Sequence, residues 1–298
     1  YTFDVFHPER GWALKGGLHG FRMAGGKVLG TTSRGLRSEV EIPYQYPAQG
    51  RRIAVLGDSF TFGEGVSDRE TYAYLLDQLL PDAEVLNFGV HGYGLDQMLL
   101  YLQAETLKYR PDVVVLGYVD EDIYRDILLF RDYEKPRFKL LADRSLRLDN
   151  VPVTRPEILL SREFLYPRAF DLIEMTRQAR RWQTGANRRE AEAISRAILE
   201  QMVRCVRAIG AVPVVVYLPV EEELLDRCPA LNRGERFLRS VCTRMPLRFH
   251  SLRPELCAAI DPDDRRVAGG HWPARVHALA APRMRDILSQ ELSLVALP

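Results

Sequence analysis

A short apolar run that ends in Gly-Asp-Ser is the feature that most constrains the fold of this chain. Ile53 to Leu56 are four consecutive apolar residues, and Gly57, Asp58 and Ser59 follow directly. Such a run, bounded by a turn signal, is typical of a buried strand in a parallel sheet. Because ligands bind at the carboxyl ends of strands in open α/β sheets, Ser59 is predicted to face a cleft.

Ser59 has two interpretations at this point. A serine at the start of a helix is a common N-cap, which satisfies backbone N–H groups that have no partner inside the helix. A serine at a strand end, with its own N–H directed at a developing oxyanion, is equally a candidate nucleophile for acyl transfer. Gly-Asp-Ser taken alone leaves both interpretations open.

The segments that follow alternate between strand and helix patterns. The pattern predicts strand 52–57, helix 70–80, strand 84–90, helix 96–109 and strand 112–118. Further along it predicts helix 187–209, strand 211–220, helix 233–243, a short strand 247–251, a helical turn 254–259 and a last helix 273–291. This order predicts one flavodoxin-like, three-layer α/β/α sandwich with a parallel central sheet.

Two regions fall outside this alternation. Residues 1–50 are rich in glycine, aromatic and charged residues with weak periodicity. We predict that they form an N-terminal extension packed on a core domain of residues 51–298. Residues 119–165 contain three prolines and only short apolar runs, which indicates an insertion within the core domain. Since it follows a strand end, the insertion is a candidate lid or substrate-selecting loop.

Composition argues against several classes of partner. The chain has 298 residues, with 41 Lys and Arg against 40 Asp and Glu, so its charge indicates neither nucleic acid nor an anionic membrane as a partner. No apolar run approaches the roughly 18 residues of a membrane-spanning helix, and no signal segment opens the chain. We expect a soluble domain. The chain begins at Tyr1 without a methionine, which leaves room for a removed leader or anchor, so cytoplasmic and exported locations both stay open, as does the oligomeric state.

We predict neither a metal nor a cofactor. The cysteines Cys205, Cys228, Cys242 and Cys257 lie far apart without metal-ligand spacing. Buried free thiols are the preferred interpretation, and a Cys228–Cys242 disulfide is the alternative in an oxidising compartment. The acidic residues 120–122 do not favour a metal site either, because successive side chains at a strand end point to opposite faces.

Three blocks of the sequence, in order, resemble the SGNH (GDSL) hydrolase superfamily, and the resemblance spans most of the chain. The first block is the Gly-Asp-Ser run that contains Ser59. The second is 87–94, which resembles the block whose glycine N–H joins the oxyanion hole; here that glycine is Gly89. The third is 271–280, which resembles the His-Trp-Asn-x-x-Gly-His segment, with His271 as the general base. The lead-in from Thr31 to Arg37 is similar to one found in a bacterial branch of the superfamily.

This resemblance implies a serine esterase that acts through a covalent acyl intermediate. His271 would remove the proton from Ser59 Oγ, and the N–H groups of Ser59 and Gly89 would receive the oxyanion. The implied substrates are small-molecule or glycan esters, such as O-acetyl groups, short acyl esters and lipids. Release of the acyl group to water makes a hydrolase, and release to an acceptor hydroxyl makes an O-acyltransferase with the same dyad.

Glu121 is the first departure from the family pattern. It occupies the position of an asparagine that donates a hydrogen bond to the oxyanion, whereas an ionised carboxylate can only accept. If Glu121 is buried beside Asp120 and Asp122, its pKa should be raised, and the protonated carboxyl could donate instead. On this hypothesis Glu121 belongs to the oxyanion hole.

The second departure lies beside the general base. The family's aspartate stands two or three residues before the histidine, where this chain has Gly269 and Ala268. Loss of that carboxylate costs on the order of 10⁴ in rate. Asp261, Asp263 and Asp264 precede a flexible glycine pair and are candidate replacements, as is a backbone carbonyl. Both departures favour an alternative function, a catalytically degenerate member that only binds a ligand or a protein.

Four neighbours of the blocks are interpreted mainly as structural. His91 is predicted to be a turn histidine that faces solvent rather than a substrate contact. Asp58 is predicted to brace the loop beside the nucleophile, and Asp122 to have a similar structural role. Trp272 fits a wall of the substrate pocket and a core position equally well.

Overall fold

The helices and strands of the computed structural model follow the predicted order. The structure describes residues 3–45, 50–158, 177, 180–181, 183–225, 230–260 and 270–295. The strands are β1 (Asp4–His7), β2 (Gly11–Leu14), β3 (Phe21–Arg22), β4 (Val28–Leu29), β5 (Arg51–Gly57), β6 (Ala83–Gly89), β7 (Val113–Tyr118), β8 (Arg137–Leu140), β9 (Leu146–Asp149), β10 (Val212–Tyr217) and β11 (His250–Ser251). The helices are α1 (Ser59–Phe62), α2 (Tyr72–Leu79), α3 (Leu95–Ala104), α4 (Asp122–Arg125), α5 (Ala186–Ala208), α6 (Glu221–Leu225), α7 (Arg233–Arg244), α8 (Arg253–Ala259) and α9 (Ala274–Val295).

A five-stranded sheet forms the centre of the fold. Its order is β11-β10-β7-β5-β6, and every neighbouring pair is parallel. The chain moves from β5 to one side for β6 and then returns to the other side for β7. The loops after β5 and β7 therefore diverge and leave a crevice at the carboxyl edge. The predicted α/β/α sandwich with a parallel central sheet is confirmed.

Side chains alternate between the two faces of the sheet and build two hydrophobic cores. In β5, Ala54 and Leu56 face one core, whereas Ile53 and Val55 face the other. Helices α3, α5 and α7 cover the first face, and α2, α8 and α9 cover the second. Burial on both faces explains why β5 is a continuous apolar run rather than an alternating one.

Residues that precede β5 contribute side chains to the first core. Trp12, Leu14, Leu29 and Leu36 are all buried there. Trp12 Nε1 also donates a hydrogen bond of 3.0 Å to the His91 carbonyl, just after β6. The division of the chain at residue 50 stays a prediction.

The segment after β7 contains regular structure up to residue 158. The antiparallel hairpin β8-β9 packs against α3 and α5. Ahead of it, the fully buried Lys135 pairs with Asp96 and donates to the carbonyls of Arg125 and Pro136 at 3.1 and 2.9 Å. This part of the predicted insertion is thus anchored on the sandwich, and its role as a lid stays a prediction. Residues 159–165 lie outside the described residues.

The single helical turn α1 lies directly on the sheet because neighbouring strands end in glycine. A Cβ on Gly89, the last residue of β6, would lie 2.1 Å from the Phe62 backbone nitrogen. A Cβ on Gly57, the last residue of β5, would lie 2.0 Å from Thr61 Oγ1. Any larger residue at these positions would therefore displace the turn that begins at Ser59.

We expect Gly89→Ala to lower the free energy of unfolding by about 3 kcal/mol, because its methyl group would overpack the backbone of α1. Gly210→Ala is the matched control, since a Cβ there meets no neighbouring atom and only the positive φ of 78° is strained. That strain should cost about 1 kcal/mol. Urea unfolding of the two variants checks this, and equal losses of stability would contradict it.

Candidate active site

Ser59 and His271 meet at the carboxyl edge of the sheet although they are 212 residues apart in sequence. Ser59 begins α1 directly after β5, and His271 lies just before α9. The distance from Ser59 Oγ to His271 Nε2 is 2.8 Å. Ser59 is buried, whereas the His271 side chain is 31% exposed. The structure therefore brings the proposed nucleophile and base into the hydrogen bond that proton transfer requires.

Phe60 packs against the imidazole of His271, and Trp272 packs against Phe60. The Phe60 ring lies 5.3 Å from the His271 ring and 5.6 Å from the Trp272 ring, measured between centroids. Trp272 is 2% exposed, and its Nε1 donates to the Pro219 carbonyl at 2.8 Å. Trp272 is therefore a core residue that supports the histidine, not a wall of an open pocket.

Arg125 joins the loops that follow β5, β6 and β7. Its Nη1 donates to Asp58 at 2.8 Å, to Asp122 at 2.7 Å and to the Tyr93 carbonyl at 3.0 Å. Asp58 in turn caps α1, because its Oδ1 accepts a hydrogen bond from the Phe60 N–H at 2.9 Å. Asp58 and Asp122 thus have the bracing roles that the sequence predicts.

The buried ionic cluster behind this arginine contains more acids than bases. Its acids are Asp58, Asp96, Asp122 and Asp126, and its cations are Arg125 and Lys135. Burial raises the pKa of Asp126 well above its usual range, and the neighbouring charge of Asp96 raises it further. Burial, followed by the charge of Asp58, acts in the same direction on the pKa of Asp122. The folded protein therefore holds protons in this cluster more tightly than the unfolded chain does.

We expect Asp126→Asn to make folding stability less dependent on pH. Burial favours the neutral form of Asp126 in the folded protein. The resulting stability is fully present below the pKa of the unfolded chain, about 3.9, and is lost as the pH rises through the higher pKa of the folded protein. Asparagine can still accept from the Asp96 N–H and donate to Ser195 Oγ, the two partners that Asp126 has in the structure. Urea unfolding at pH 5, 7 and 9 should show a growing advantage of the variant with pH, with the exposed Asp82→Asn as control. A difference that stays constant with pH would disprove this effect.

Gly89 does not offer its N–H to the cleft, contrary to the oxyanion role predicted for it. That N–H donates to Asn87 Oδ1 at 2.9 Å, and Asn87 Nδ2 donates to the Thr61 carbonyl at 2.9 Å. The glycine is required here because the backbone of α1 lies against its Cα. We therefore correct the assignment: Gly89 supports the turn that carries Ser59.

Glu121 is also placed differently from the prediction. Its side chain is 62% exposed and lies 3.3 Å from Arg125 Nη2. The neighbouring acids point elsewhere, since Asp120 pairs with Arg188 at 2.8 Å and Asp122 is fully buried. The predicted burial of Glu121 beside Asp120 and Asp122 is absent, so its predicted role in the oxyanion hole is wrong.

Glu64 is a carboxylate beside the dyad that belongs to none of the three sequence blocks. Its Oε2 lies 3.6 Å from His271 Nε2, the same nitrogen that is bonded to Ser59 Oγ. Its backbone N–H donates to the Ser59 carbonyl at 2.9 Å. The only hint in the sequence is the pair Gly63 and Gly65, which marks a turn but does not show where the turn leads.

The group that orients His271 stays a prediction. Asp261, Asp263 and Asp264 lie outside the described residues, as do the two positions directly before Gly270. Over the described ranges, the contacts of the His271 ring nitrogens with Ser59 and Glu64 both involve Nε2.

Two further histidines near the blocks are buried and structural. His91 is 1% exposed, and its Nε2 lies 2.8 Å from both carboxylate oxygens of Asp4 in β1. The prediction that His91 faces solvent is wrong, because the N-terminal strands cover it. His277 accepts a hydrogen bond from the Tyr72 N–H at 3.1 Å, and burial lowers its pKa to about 3. His277 therefore stays neutral and holds the start of α2.

The described ranges contain no group of three or more His, Cys, Asp or Glu side chains that could hold a metal ion. Cys205 and Cys242 are free thiols, and burial raises the pKa of Cys242 to about 12. Cys257 Sγ donates to the Glu223 carbonyl at 3.5 Å. Cys228 falls in a part of the chain that the structure does not describe. No described helix is both long and apolar enough to cross a membrane.

No protein-family model and no curated protein matches the chain. Among solved structures, the acetyl xylan esterase AlAXEase matches with a TM-score of 0.49 and 13% identity over 79% of this chain and 98% of that chain. TesA matches with a TM-score of 0.47 and 15% identity over 81% and 98%. A lipolytic protein of the G-D-S-L family from Desulfitobacterium hafniense DCB-2 matches with a TM-score of 0.44 and 14% identity over 80% and 99%. At these identities the similarity concerns the fold alone.

Proposed function

We propose that this protein is a serine hydrolase that cleaves carboxylic esters through an acyl-Ser59 intermediate. The distance of 2.8 Å between Ser59 Oγ and His271 Nε2 is the observation that carries the proposal. A serine hydroxyl is a weak nucleophile by itself and becomes reactive when an adjacent base removes its proton. Phe60, which packs against the imidazole and against the buried Trp272, supports the position of that base.

The reaction has two halves, acylation of Ser59 and hydrolysis of the acyl enzyme. In each half, His271 Nε2 first accepts a proton and then donates it. The Ser59 proton moves to Nε2 as Oγ bonds to the acyl carbon, and the same proton then leaves with the departing alcohol. A water molecule next gives a proton to Nε2 and attacks the acyl carbon. The bond to Ser59 Oγ breaks, that oxygen takes the proton back, and the carboxylic acid is released.

Backbone N–H groups supply the oxyanion donors in this proposal. The Ser59 N–H is at the first position of α1, where no earlier turn of the helix offers it an acceptor. We take the N–H of Gly92, in place of that of Gly89, as the second donor. Gly92 has a positive φ of 73° and directly precedes Tyr93. Arg125 donates to both the Tyr93 carbonyl and Asp58, and so joins this loop to the one that carries Ser59. A structure of the Ser59 phosphonate adduct should place the phosphonyl oxygen about 2.7–3.1 Å from both nitrogens.

We expect a fluorophosphonate probe to label Ser59 in the folded protein. Ser59→Ala should abolish labelling, and His271→Ala should slow it by on the order of 10³-fold, the usual contribution of a general base. His19→Ala is the matched control, because His19 is exposed in the N-terminal region. Mass spectrometry of the labelled peptide and stopped time courses measure these outcomes. Equal labelling of wild type and His271→Ala would remove His271 from the mechanism.

Hydrolysis should then be measured on short p-nitrophenyl esters and on acetylated sugars. These represent the small-molecule and glycan esters that the sequence resemblance implies. Acid release that disappears in Ser59→Ala supports the esterase and identifies its preferred acyl length.

A second function, ligand binding without turnover, is favoured by one observation. The positions two and three residues before His271, where the related family carries its orienting acid, hold Gly269 and Ala268, and neither has a side chain that can accept a hydrogen bond. A protein that is folded, as judged by a cooperative urea transition, but that neither labels nor hydrolyses any ester would support binding alone.

A further inference from the structure

The loop after α1 is fixed by a deeply buried arginine from the N-terminal region. Arg37, whose side chain is 1% exposed, donates from Nη1 to the carbonyls of Phe62 and Gly63 and from Nη2 to that of Val66, at 2.5 to 2.8 Å. Its Nε pairs with Asp68 Oδ1 at 2.8 Å. Burial of a guanidinium is costly unless its donors find partners, and these four hydrogen bonds all hold one short loop. The arrangement fixes the path of the backbone around Glu64.

Glu64 projects from this fixed loop towards the dyad. It lies between Gly63 and Gly65, which adopt positive φ values of 86° and 84° and so turn the chain sharply. The hydrogen bond from the Glu64 N–H to the Ser59 carbonyl ties the loop to α1 at 2.9 Å. The Glu64 side chain is 31% exposed, so solvent reaches the carboxylate beside His271.

The position of Glu64 differs from that of an orienting acid. Such an acid binds Nδ1, whereas Glu64 faces Nε2, the nitrogen that exchanges protons with Ser59 and with the attacking group. The separation of 3.6 Å is longer than an N–H···O hydrogen bond of about 2.7–3.2 Å. Glu64 therefore does not hold the ring directly. It lies beside the place from which a nucleophile would donate its proton to Nε2.

We propose that Glu64 binds the water that hydrolyses the acyl enzyme, and so favours hydrolysis over acyl transfer to a monohydric alcohol. This inference rests on the proposed esterase function. Water has two hydrogens: one is transferred to His271 Nε2 as the oxygen bonds to the acyl carbon, and the other is donated to the Glu64 carboxylate. The Glu64 carboxylate acts only as a hydrogen-bond acceptor, while the bond between the acyl carbon and Ser59 Oγ breaks and that oxygen recovers the proton.

A monohydric alcohol cannot make both contacts. Its single hydroxyl hydrogen goes to Nε2, so its carbon would lie against the carboxylate and remove water from it without a compensating hydrogen bond. The charge therefore stabilises attack by water and disfavours attack by the alcohol.

The test is the partition of the acyl group between water and added methanol. Wild type, Glu64→Ala, Glu64→Gln and the exposed control Glu9→Gln are given one p-nitrophenyl ester, and free acid and methyl ester are quantified by mass spectrometry. In Glu64→Ala the ratio of methyl ester to acid should rise about tenfold, the effect of one lost hydrogen bond to a charged group. Glu64→Gln keeps one acceptor oxygen and should show a smaller rise, and Glu9→Gln should match wild type.

The outcomes separate this inference from the proposed function. Wild type that turns over no ester and does not label at Ser59 overturns both. Turnover with the same partition ratio in wild type, Glu64→Ala and Glu64→Gln overturns only the role of Glu64, even when the overall rate falls, because a merely structural residue would slow both products equally. Labelling of Glu64→Ala by the fluorophosphonate within about twofold of the wild-type rate would show that the dyad is intact. Should Glu64→Ala fail to fold, the isosteric Glu64→Gln decides by the same ratio.

Discussion

The close approach of one helical turn to the ends of the central strands is the constraint on which the site depends. Gly57 and Gly89 present no side chain, so the backbone of α1 lies directly on β5 and β6. Gly117 in β7 makes room for Thr61 in the same way, since a Cβ there would lie 2.7 Å from Thr61 Oγ1. The backbone of α1 therefore packs closely against the sheet. This places Ser59 at the crevice between the loops after β5 and β7, where His271 from the distant third block contacts it.

Two buried arginines fix the positions of the loops on either side of this turn. Arg125 joins the ends of three strands through Asp58, Asp122 and the Tyr93 carbonyl, and Arg37 holds the loop that carries Glu64. Buried ion pairs add little net stability, because desolvation offsets most of their attraction. Their consequence here is positional: the backbone at the cleft has fixed hydrogen-bond partners on both sides of the nucleophile.

The N-terminal region buries residues that would otherwise be exposed and fixes a loop beside the site. His91 follows a strand end in a glycine-rich turn, a setting that is usually exposed, but Asp4 and Trp12 bury it. The lead-in that ends at Arg37 has no evident chemistry in the sequence, and in the folded chain it supplies the guanidinium that fixes the neighbouring loop. Neither contact could be predicted from the sequence, since both depend on how an irregular segment packs.

The sequence by itself determined the order of strands and helices and the α/β/α architecture, because apolar periodicity is a local property that survives in the folded chain. The pairing of Ser59 with His271 was implied by the resemblance of their two blocks to the SGNH superfamily. Only the tertiary structure decided where the Gly89 N–H and the side chains of Glu121 and Glu64 lie. The Gly89 N–H donates to Asn87 Oδ1 instead of pointing into the cleft, and the Glu121 side chain is exposed to solvent. Both outcomes depend on which neighbouring groups fill the space at a strand end. Glu64 came beside His271 because the central strands meet at one edge, a proximity that separation along the chain does not reveal.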